Sequence, residues 1–252
     1  MDRWVNKVAV VTEASSGIGA EIVKDLARAG MIVVGLARRS DRVKALKSDL
    51  PEEKRSNLYA VKCDVTINAQ EIVAVFSRIK QDFGGIDVLV NNAGIANMKI
   101  KLIDRDSTFK INDIIQTNVV GLINCTREAV ASMKERDFPG QIININSVVG
   151  HRVLPPLPNV NWIIYPATKF AARALSDLYF QEITQKQLGI KVGNVSPAAV
   201  KTDITEELTN LINNNFPHLL PTDISQAVIY ILSTPPHVNI QDILIKPVRA
   251  RN

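Results

Sequence analysis

The run Lys7-Val8-Ala9-Val10-Val11-Thr12-Glu13-Ala14-Ser15-Ser16-Gly17-Ile18-Gly19 decides the fold. Residues 7–11 are a short β-branched apolar run, the pattern of a strand buried on both faces. Residues 12–19 form a turn that bears glycines. Residues 20–29 then show helical periodicity, and Gly30 stops the helix at its C-terminus.

Working outward, residues 31–37 read as a second strand ending at Arg38-Arg39, and Ser40 and Asp41 offer an N-cap for a helix reaching about residue 49. Residues 58–64 are a third strand and 68–83 a helix, broken by Gly84-Gly85. Residues 86–90 are a fourth strand running into Asn91-Asn92-Ala93-Gly94. A long helical segment covers 111–134, and residues 141–146 form a fifth strand ending at Ser147. A proline-rich insertion, 151–161, precedes a helix that holds Tyr165 and runs to about 187, with a stop at Gly189. Residues 190–195 are the sixth strand. Helical stretches near 203–213 and 222–233 follow, then a late strand at 240–247. Strands alternating with helices mean a parallel sheet covered on both faces. With no internal repeat, low-complexity tract or linker, the chain reads as α/β, one doubly wound domain over residues 1–252 with about seven strands.

The totals agree. A chain of 252 residues with 46% hydrophobic and 22% charged side chains is ordinary for a globular protein, and 5% aromatics imply an aliphatic core. The net charge of +5 is mild and its lysines and arginines are scattered among acids, so no nucleic-acid stripe exists and a small anionic ligand suits the imbalance better. Cys63 and Cys125 match neither a disulfide framework nor a metal spacing and read as buried thiols. No signal peptide is evident at the start, and no apolar stretch approaches the ~20 residues that span a bilayer. A soluble cytoplasmic protein without a metal or an integral membrane segment is the expectation.

Open parallel sheets bind ligands at the carboxyl ends of their strands. Ser15-Ser16-Gly17-Ile18-Gly19 lies there, between the first strand and first helix, where backbone N–H groups and the helix dipole favour a pyrophosphate. Gly17 allows close backbone approach and Gly19 lets the helix pack tightly on the strand; an ordinary βα turn is the alternative. Arg38 and Arg39 close the second strand, where a nicotinamide dinucleotide places its adenosine ribose, and no acid stands beside them. A bidentate phosphate clamp follows, which favours NADP(H) over NAD(H); two solvated arginines are the plainer alternative. Asp64-Val65 could meet the adenine amino group, or Asp64 could cap a helix.

Tyr165-Pro166-Ala167-Thr168-Lys169 places a phenol and an ammonium one helical turn apart on one face. That suits a general acid or base, because a nearby cation pulls a phenol from its ordinary value near ~10 toward the working range. Alone the pair is common on solvated helices; its place behind the strand ending at Ser147 gives it weight.

Taken in order, Thr12…Gly17-Ile18-Gly19, Asn91-Asn92-Ala93-Gly94, Asn118, Ser147, Tyr165…Lys169 and Ser196-Pro197 resemble the short-chain dehydrogenase/reductase family over nearly the whole chain. The resemblance implies a Rossmann-type domain in which Tyr165 exchanges a proton with the substrate oxygen. Lys169 lowers its pKa and holds the nicotinamide ribose, Ser147 orients the carbonyl or alcohol, and Asn118 anchors a water joining Lys169 to solvent. It also implies that Thr12, Asn91, Ala93 and Gly94 flank the adenosine side, and that Pro197, Val200 and Thr202 line the nicotinamide side. Residues 2–12 with Gly35-Leu36-Ala37-Arg38-Arg39 are similar to the insect farnesol dehydrogenase group and a related vertebrate branch acting on ketosteroids. That likeness implies a lipophilic substrate, a farnesol-like terpenoid alcohol first and a steroid or other apolar ketone second. It also implies a homo-oligomer, dimer or tetramer, packed through the helices around Asn118 and Tyr165. The insertion would wall a longer pocket, with Val153, Leu154, Leu157 and Trp162 as candidates; a surface loop without substrate contact is the alternative.

Two positions depart from the family. Glu13 stands where the pattern has glycine, adding bulk and a carboxylate beside a 2′-phosphate. Ala198 replaces the usual glycine after Pro197, which costs little unless a positive φ is needed there. Glu13 leaves three outcomes open. It is accommodated, it redirects the site toward NAD(H) by accepting from ribose hydroxyls, or it leaves a catalytically impaired ligand-binding member.

Overall fold

The computed structural model describes residues 1–66, 68–97, 101–155, 164–203, 205 and 217–248. Seven strands pair in parallel: β1 (Val8–Thr12), β2 (Ile32–Ala37), β3 (Leu58–Lys62), β4 (Val88–Asn91), β5 (Gln141–Ile145), β6 (Lys191–Pro197) and β7 (Asp242–Ile245). Their order in the sheet is β3-β2-β1-β4-β5-β6-β7. The order reverses between β1 and β4, so the crevice beyond their carboxyl ends is the place for a ligand.

The helices are α1 (Gly17–Arg28), α2 (Ser40–Ala45), α3 (Ala69–Phe83), α4 (Thr108–Ile115), α5 (Leu122–Glu135), α6 (Ile164–Gln185) and α7 (Pro221–Ser233). The strands match expectation within a residue or three at each end. The expected single helix over 111–134 is longer and composite: α4 passes into a π-helical turn, Gln116–Gly121, and then into α5. Such a turn holds one extra residue and tends to occur at functional positions. Asn68 caps α3, accepting from Glu71 N at 3.0 Å, whereas α2 takes Arg39 in the N-cap position in place of Ser40. Most of the expected helix near 203–213 lies outside the described residues.

Strand β1 shows why a fully apolar run was needed. Ala9 and Val11 face one layer with Val33, Ile22, Val23 and Leu26 of α1, and Ile224, Val228 and Ile231 of α7. Val8 and Val10 face the opposite layer with Ile72, Phe76 and Ile79 of α3, and Ala129 and Met133 of α5. Each fully buried aliphatic or phenyl side chain of this kind contributes about 1.5–3 kcal/mol. Trp4 anchors the N-terminus by donating its indole N–H to Leu232 O at 2.8 Å.

Just beneath the carboxyl edge, Asn91, Asn144 and Asn194 stand opposite one another across β4, β5 and β6. Asn91 Nδ2 donates to Thr126 Oγ1 of α5 (2.9 Å) and to Asn144 Oδ1 (2.8 Å). Asn144 Nδ2 donates to Ser176 Oγ of α6 (2.8 Å), which in turn donates to Asn194 Oδ1 (2.7 Å). A one-residue slip of β5 would send Asn144 to the wrong face and orphan this row, so the row fixes the register on which the loops above depend.

Candidate active site

The turn after β1 is tied to the turn after β4. Thr12 Oγ1 accepts from the backbone N–H groups of Asn92 and Ala93, both at 2.9 Å. The Asn92 amide donates to the carbonyls of Thr12 (3.0 Å) and Glu13 (3.3 Å). A Cβ at Gly19 would run into that Glu13 carbonyl and the Asn92 amide, so α1 can start this close to β4 only with glycine there. Gly17 opens α1 at φ +55°. Ser16, at the N-cap, makes no side-chain cap bond, and the first turn of α1 carries no acid. The N–H groups of that turn are therefore left to a ligand or water.

Two cavities meet over these turns. The larger, about 320 Å³, is bounded by Ser15, Arg38, Arg39, Asp64, Val65 and Ala93, together with Cys63, Ile95, Asp113 and Thr117. The smaller, about 130 Å³, is bounded by Ser16, Gly17, Ile18, Gly94, Ser147, Tyr165, Lys169, Pro197, Val200 and Thr202. The structure thus brings most of the expected residues to one groove. Thr12, Asn91, Gly19 and Asn118 stand behind its wall: Thr12 and Asn91 as hydrogen-bonding supports, Gly19 at the helix contact, and Asn118 on the π-helical turn. Asp64 makes a local turn, accepting from Thr66 N (3.0 Å) and Thr66 Oγ1 (2.8 Å), and Asn68 takes the capping role left open for it.

Glu13 borders both cavities. Its backbone is left-handed, φ +54°, the conformation in which glycine costs least. The side chain neither turns to solvent nor pairs with Arg38; it points inward, and Glu13 Oε2 accepts from Gly94 N at 2.8 Å. Burial raises its pKa above the ordinary carboxylate value, opposed by that hydrogen bond and by the charges of Lys169, Arg38 and Arg39. Ala198, by contrast, has no positive φ and is accommodated.

Lys169 is buried and donates from Nζ to Ile145 O at 2.9 Å. Burial brings its pKa down to about 8, with Glu13 pulling the other way. Its nitrogen lies 5.5 Å from the centroid of the Tyr165 ring, over the face of the phenol. Burial pushes the Tyr165 pKa well up, a hydrogen bond with Ser147 opposes that rise, and the Glu13 charge adds to it. Ser147 Oγ also donates to Pro197 O at 3.4 Å. Asn118 uses its amide on Ile95 N and O (2.9 Å each) and on Thr168 Oγ1 (3.0 Å), the residue beside Lys169. It therefore positions the loop after β4 against α6.

Several groove residues were not expected. Asn146, next to Ser147, is buried with neither Nδ2 nor Oδ1 partnered among the described residues, and it borders the smaller cavity. Its place at the carboxyl end of β5 was the available signal. Thr205 braces Thr202, donating to the carbonyls of Val200 and Thr202. In the insertion, His151 is held by Asp242 (3.0 Å), and Val153 is 74% exposed and borders neither cavity. Leu157 and Trp162 lie outside the described residues. Cys63 and Cys125 are both buried and free. Among the described residues no helix is long and apolar enough to cross a membrane, and no cluster of potential metal ligands occurs.

Comparison with known proteins adds to this geometry. A family model described as short chain dehydrogenase matches residues 7–212. Farnesol dehydrogenase of Aedes aegypti is 48% identical over 248 residues, covering 98% of each chain. Human dehydrogenase/reductase SDR family member 11 is 39% identical, covering 98% of this chain and 96% of its own. Among solved structures, the closed form of a serine dehydrogenase complexed with NADP+ superposes with a TM-score of 0.85 at 28% identity, covering 97% of this chain and 96% of its own. An alcohol dehydrogenase from the archaeon Thermococcus sibiricus complexed with 5-hydroxy-NADP gives 0.81 at 26%, covering 98% of each.

Proposed function

The chain belongs to the short-chain dehydrogenase family, and from that premise we propose that it is an NADP(H)-dependent oxidoreductase interconverting an alcohol and its aldehyde or ketone in a lipophilic substrate. The observation that carries this reading is the meeting of Ser147, Tyr165 and Lys169 at one cavity, with Glu13 on the wall it shares with the cavity bounded by Arg38 and Arg39. A farnesol-like terpenoid alcohol is the first substrate class, supported by the 48% identity to a farnesol dehydrogenase; a steroid or other apolar ketone is second.

The groove fits a nicotinamide dinucleotide on three counts: the uncapped first turn of α1, the guanidinium pair beyond β2, and the unpartnered Asn146 amide at the other end. The first turn of α1 would hold the pyrophosphate. Arg38 and Arg39 would hold a 2′-phosphate, and Val200, Thr202 and Lys169 would border the nicotinamide riboside. A bound dinucleotide supplies the hydride in the reducing direction and accepts it in the other. Tyr165 gives its phenolic proton to the substrate oxygen during reduction and takes it back during oxidation. The Ser147 hydroxyl, which has one proton to donate, turns from Pro197 O to hold that oxygen, and its contact with Tyr165 opposes the rise that burial causes in the phenol. Lys169 remains a cation at neutral pH and stabilises the same phenolate across the ring face. The exposed Phe109 and Ile115 of α4 and Phe170 and Leu178 of α6 support pairing with a second copy of the chain.

The inward Glu13 carboxylate favours a second reading, a ligand-binding member with impaired cofactor affinity. Turnover decides between the two. The purified protein should reduce NADP+ with farnesol or oxidise NADPH with an apolar ketone. Tyr165→Phe should lower kcat by roughly 10²–10⁴ while changing NADPH affinity only a few-fold. Full activity in Tyr165→Phe would remove the tyrosine from the chemistry, and no turnover in the parent together with no saturable NADPH binding would favour the binding role.

A further inference from the structure

Among the described residues, Glu13 is the one that borders both cavities, the one bounded by Arg38 and the one bounded by Lys169. The backbone leaves little room to move it aside. The Glu13 carbonyl accepts from Asn92, the following residue Ala14 is fully buried, and Ala14 N donates to Leu36 O at 3.0 Å. The Glu13 backbone sits at φ +54°, and Gly94 N–H holds the far end of its side chain at 2.8 Å.

We propose that Glu13 is a built-in anion closing the middle of the groove, so that a dinucleotide binds with uptake of one proton by this side chain. The inference rests on the oxidoreductase reading above and concerns how that same site is regulated.

The chemistry follows from hydrogen-bonding roles. An ionised carboxylate only accepts, and the dinucleotide brings anionic, accepting phosphate oxygens. Protonated, the same side chain keeps its bond from Gly94 N–H through the carbonyl oxygen, loses its charge, and offers an O–H donor. The step balances as one carboxylate and one proton giving one carboxylic acid. Charged and titratable groups face Glu13 from several elements. Lys169 comes from α6, Arg38 and Arg39 from the end of β2, and Tyr165 from α6. Cys63 and Asp64 after β3, Asp113 of α4 and Asp203 beyond β6 are the other ionisable side chains among the described residues on the walls of the two cavities. Burial raises the Glu13 carboxyl above its ordinary value, against the Gly94 hydrogen bond and the charges of Lys169, Arg38 and Arg39.

The coupling also reaches the chemistry. Lys169 Nζ would stand 3.6 Å from a Cβ at Gly94, the residue whose N–H holds Glu13. The Glu13 charge raises both Lys169 and Tyr165, so neutralising it on binding removes that influence from both.

The test is isothermal titration calorimetry of the intact protein with NADH and NADPH, in buffer pairs of different ionisation enthalpy. Measurements run at about pH 5–7, at least a unit below the Lys169 value of about 8, so that Lys169 is largely charged before binding; NADH carries no 2′-phosphate to titrate. The parent should take up as much as one proton per NADH bound, with affinity falling up to about tenfold per pH unit once Glu13 is ionised. Glu13→Gln should show no uptake and a flat profile. Glu13→Gly should bind on the order of ten- to a hundredfold tighter at the upper end of the range. Binding by the parent without proton uptake overturns the proposal, and so does equal uptake in Glu13→Gln. Failure of all three proteins to bind either dinucleotide overturns the oxidoreductase reading as well, and is distinguishable for that reason.

Discussion

Replacing Thr12 with valine tests whether the cofactor groove depends on one hydroxyl. Thr12 is 1% exposed, and its Oγ1 accepts two backbone N–H groups, from Asn92 and Ala93, each at 2.9 Å. Valine keeps the shape and removes the acceptor. An orphaned buried donor costs about 1–3 kcal/mol, and these two amides belong to half-buried residues, so the low end applies to each and the sum is roughly 2–3 kcal/mol. Thr12→Ser is the control: it keeps the acceptor and loses one methyl, about 0.8 kcal/mol. For a chain of this length the valine variant should melt about 5 °C lower than the parent, at about 2.1 cal/mol/K of unfolding entropy per residue. The loop it loosens carries Ala93 on the adenosine side and Gly94 against Glu13, so NADPH affinity should fall several-fold in Thr12→Val and stay near the parent in Thr12→Ser. Urea denaturation and NADPH fluorescence titration measure the two effects. Equal stability of the valine and serine variants would refute the reasoning, because it would mean that the hydroxyl carries neither amide.

Two further outcomes follow from charged groups. Arg38→Leu should weaken NADPH by about tenfold to a hundredfold, the equivalent of about 1.5–3 kcal/mol for a charge-assisted phosphate contact, and leave NADH within a factor of two or three. Equal loss for both dinucleotides, read by fluorescence titration, would place Arg38 outside the selecting contact. Lys191, buried at the start of β6, donates to Thr234 Oγ1 (3.0 Å), Val238 O (3.0 Å) and Pro235 O (3.4 Å), and burial lowers its pKa from 10.5 to about 8. Its charged form is disfavoured in the fold, so the penalty is complete below about pH 8 and is relieved as pH rises toward 10.5. Stability measured against Lys191→Met, which has no such titration, should therefore rise over that window. A difference that falls or stays flat would contradict the assignment.

The architecture was legible because a parallel sheet covered on both faces demands apolar strands. The alternation of Ala9 and Val11 with Val8 and Val10 into opposite layers is what the run at 7–11 encodes. The composite α4–α5 helix was not legible in the same way. A π-helical turn adds a residue without changing composition, so periodicity read one helix where Asn118 sits on a distinct turn facing Ile95 and Thr168. Tyr165 and Lys169 were legible by spacing, yet which neighbour favours the phenolate was not. Ser147 reaches the phenol from another element, and Lys169 lies over the ring face. Glu13 shows the boundary most clearly. Its residue type marked a break in the glycine turn, and three outcomes stayed open because each depended on the direction of the side chain. That direction is fixed by Gly94 N–H, 81 residues along the chain, which reaches Glu13 only because Thr12 and Asn92 bind the two turns together. A carboxylate held in this way is more than a defect in a phosphate-binding turn. In the left-handed region it gives up the freedom of glycine, and the strain persists only because the surrounding bonds over-determine it, the circumstance in which strain tends to accompany a role. The departure from the family pattern is thus better read as a coupling between charge and cofactor than as the erosion of a site.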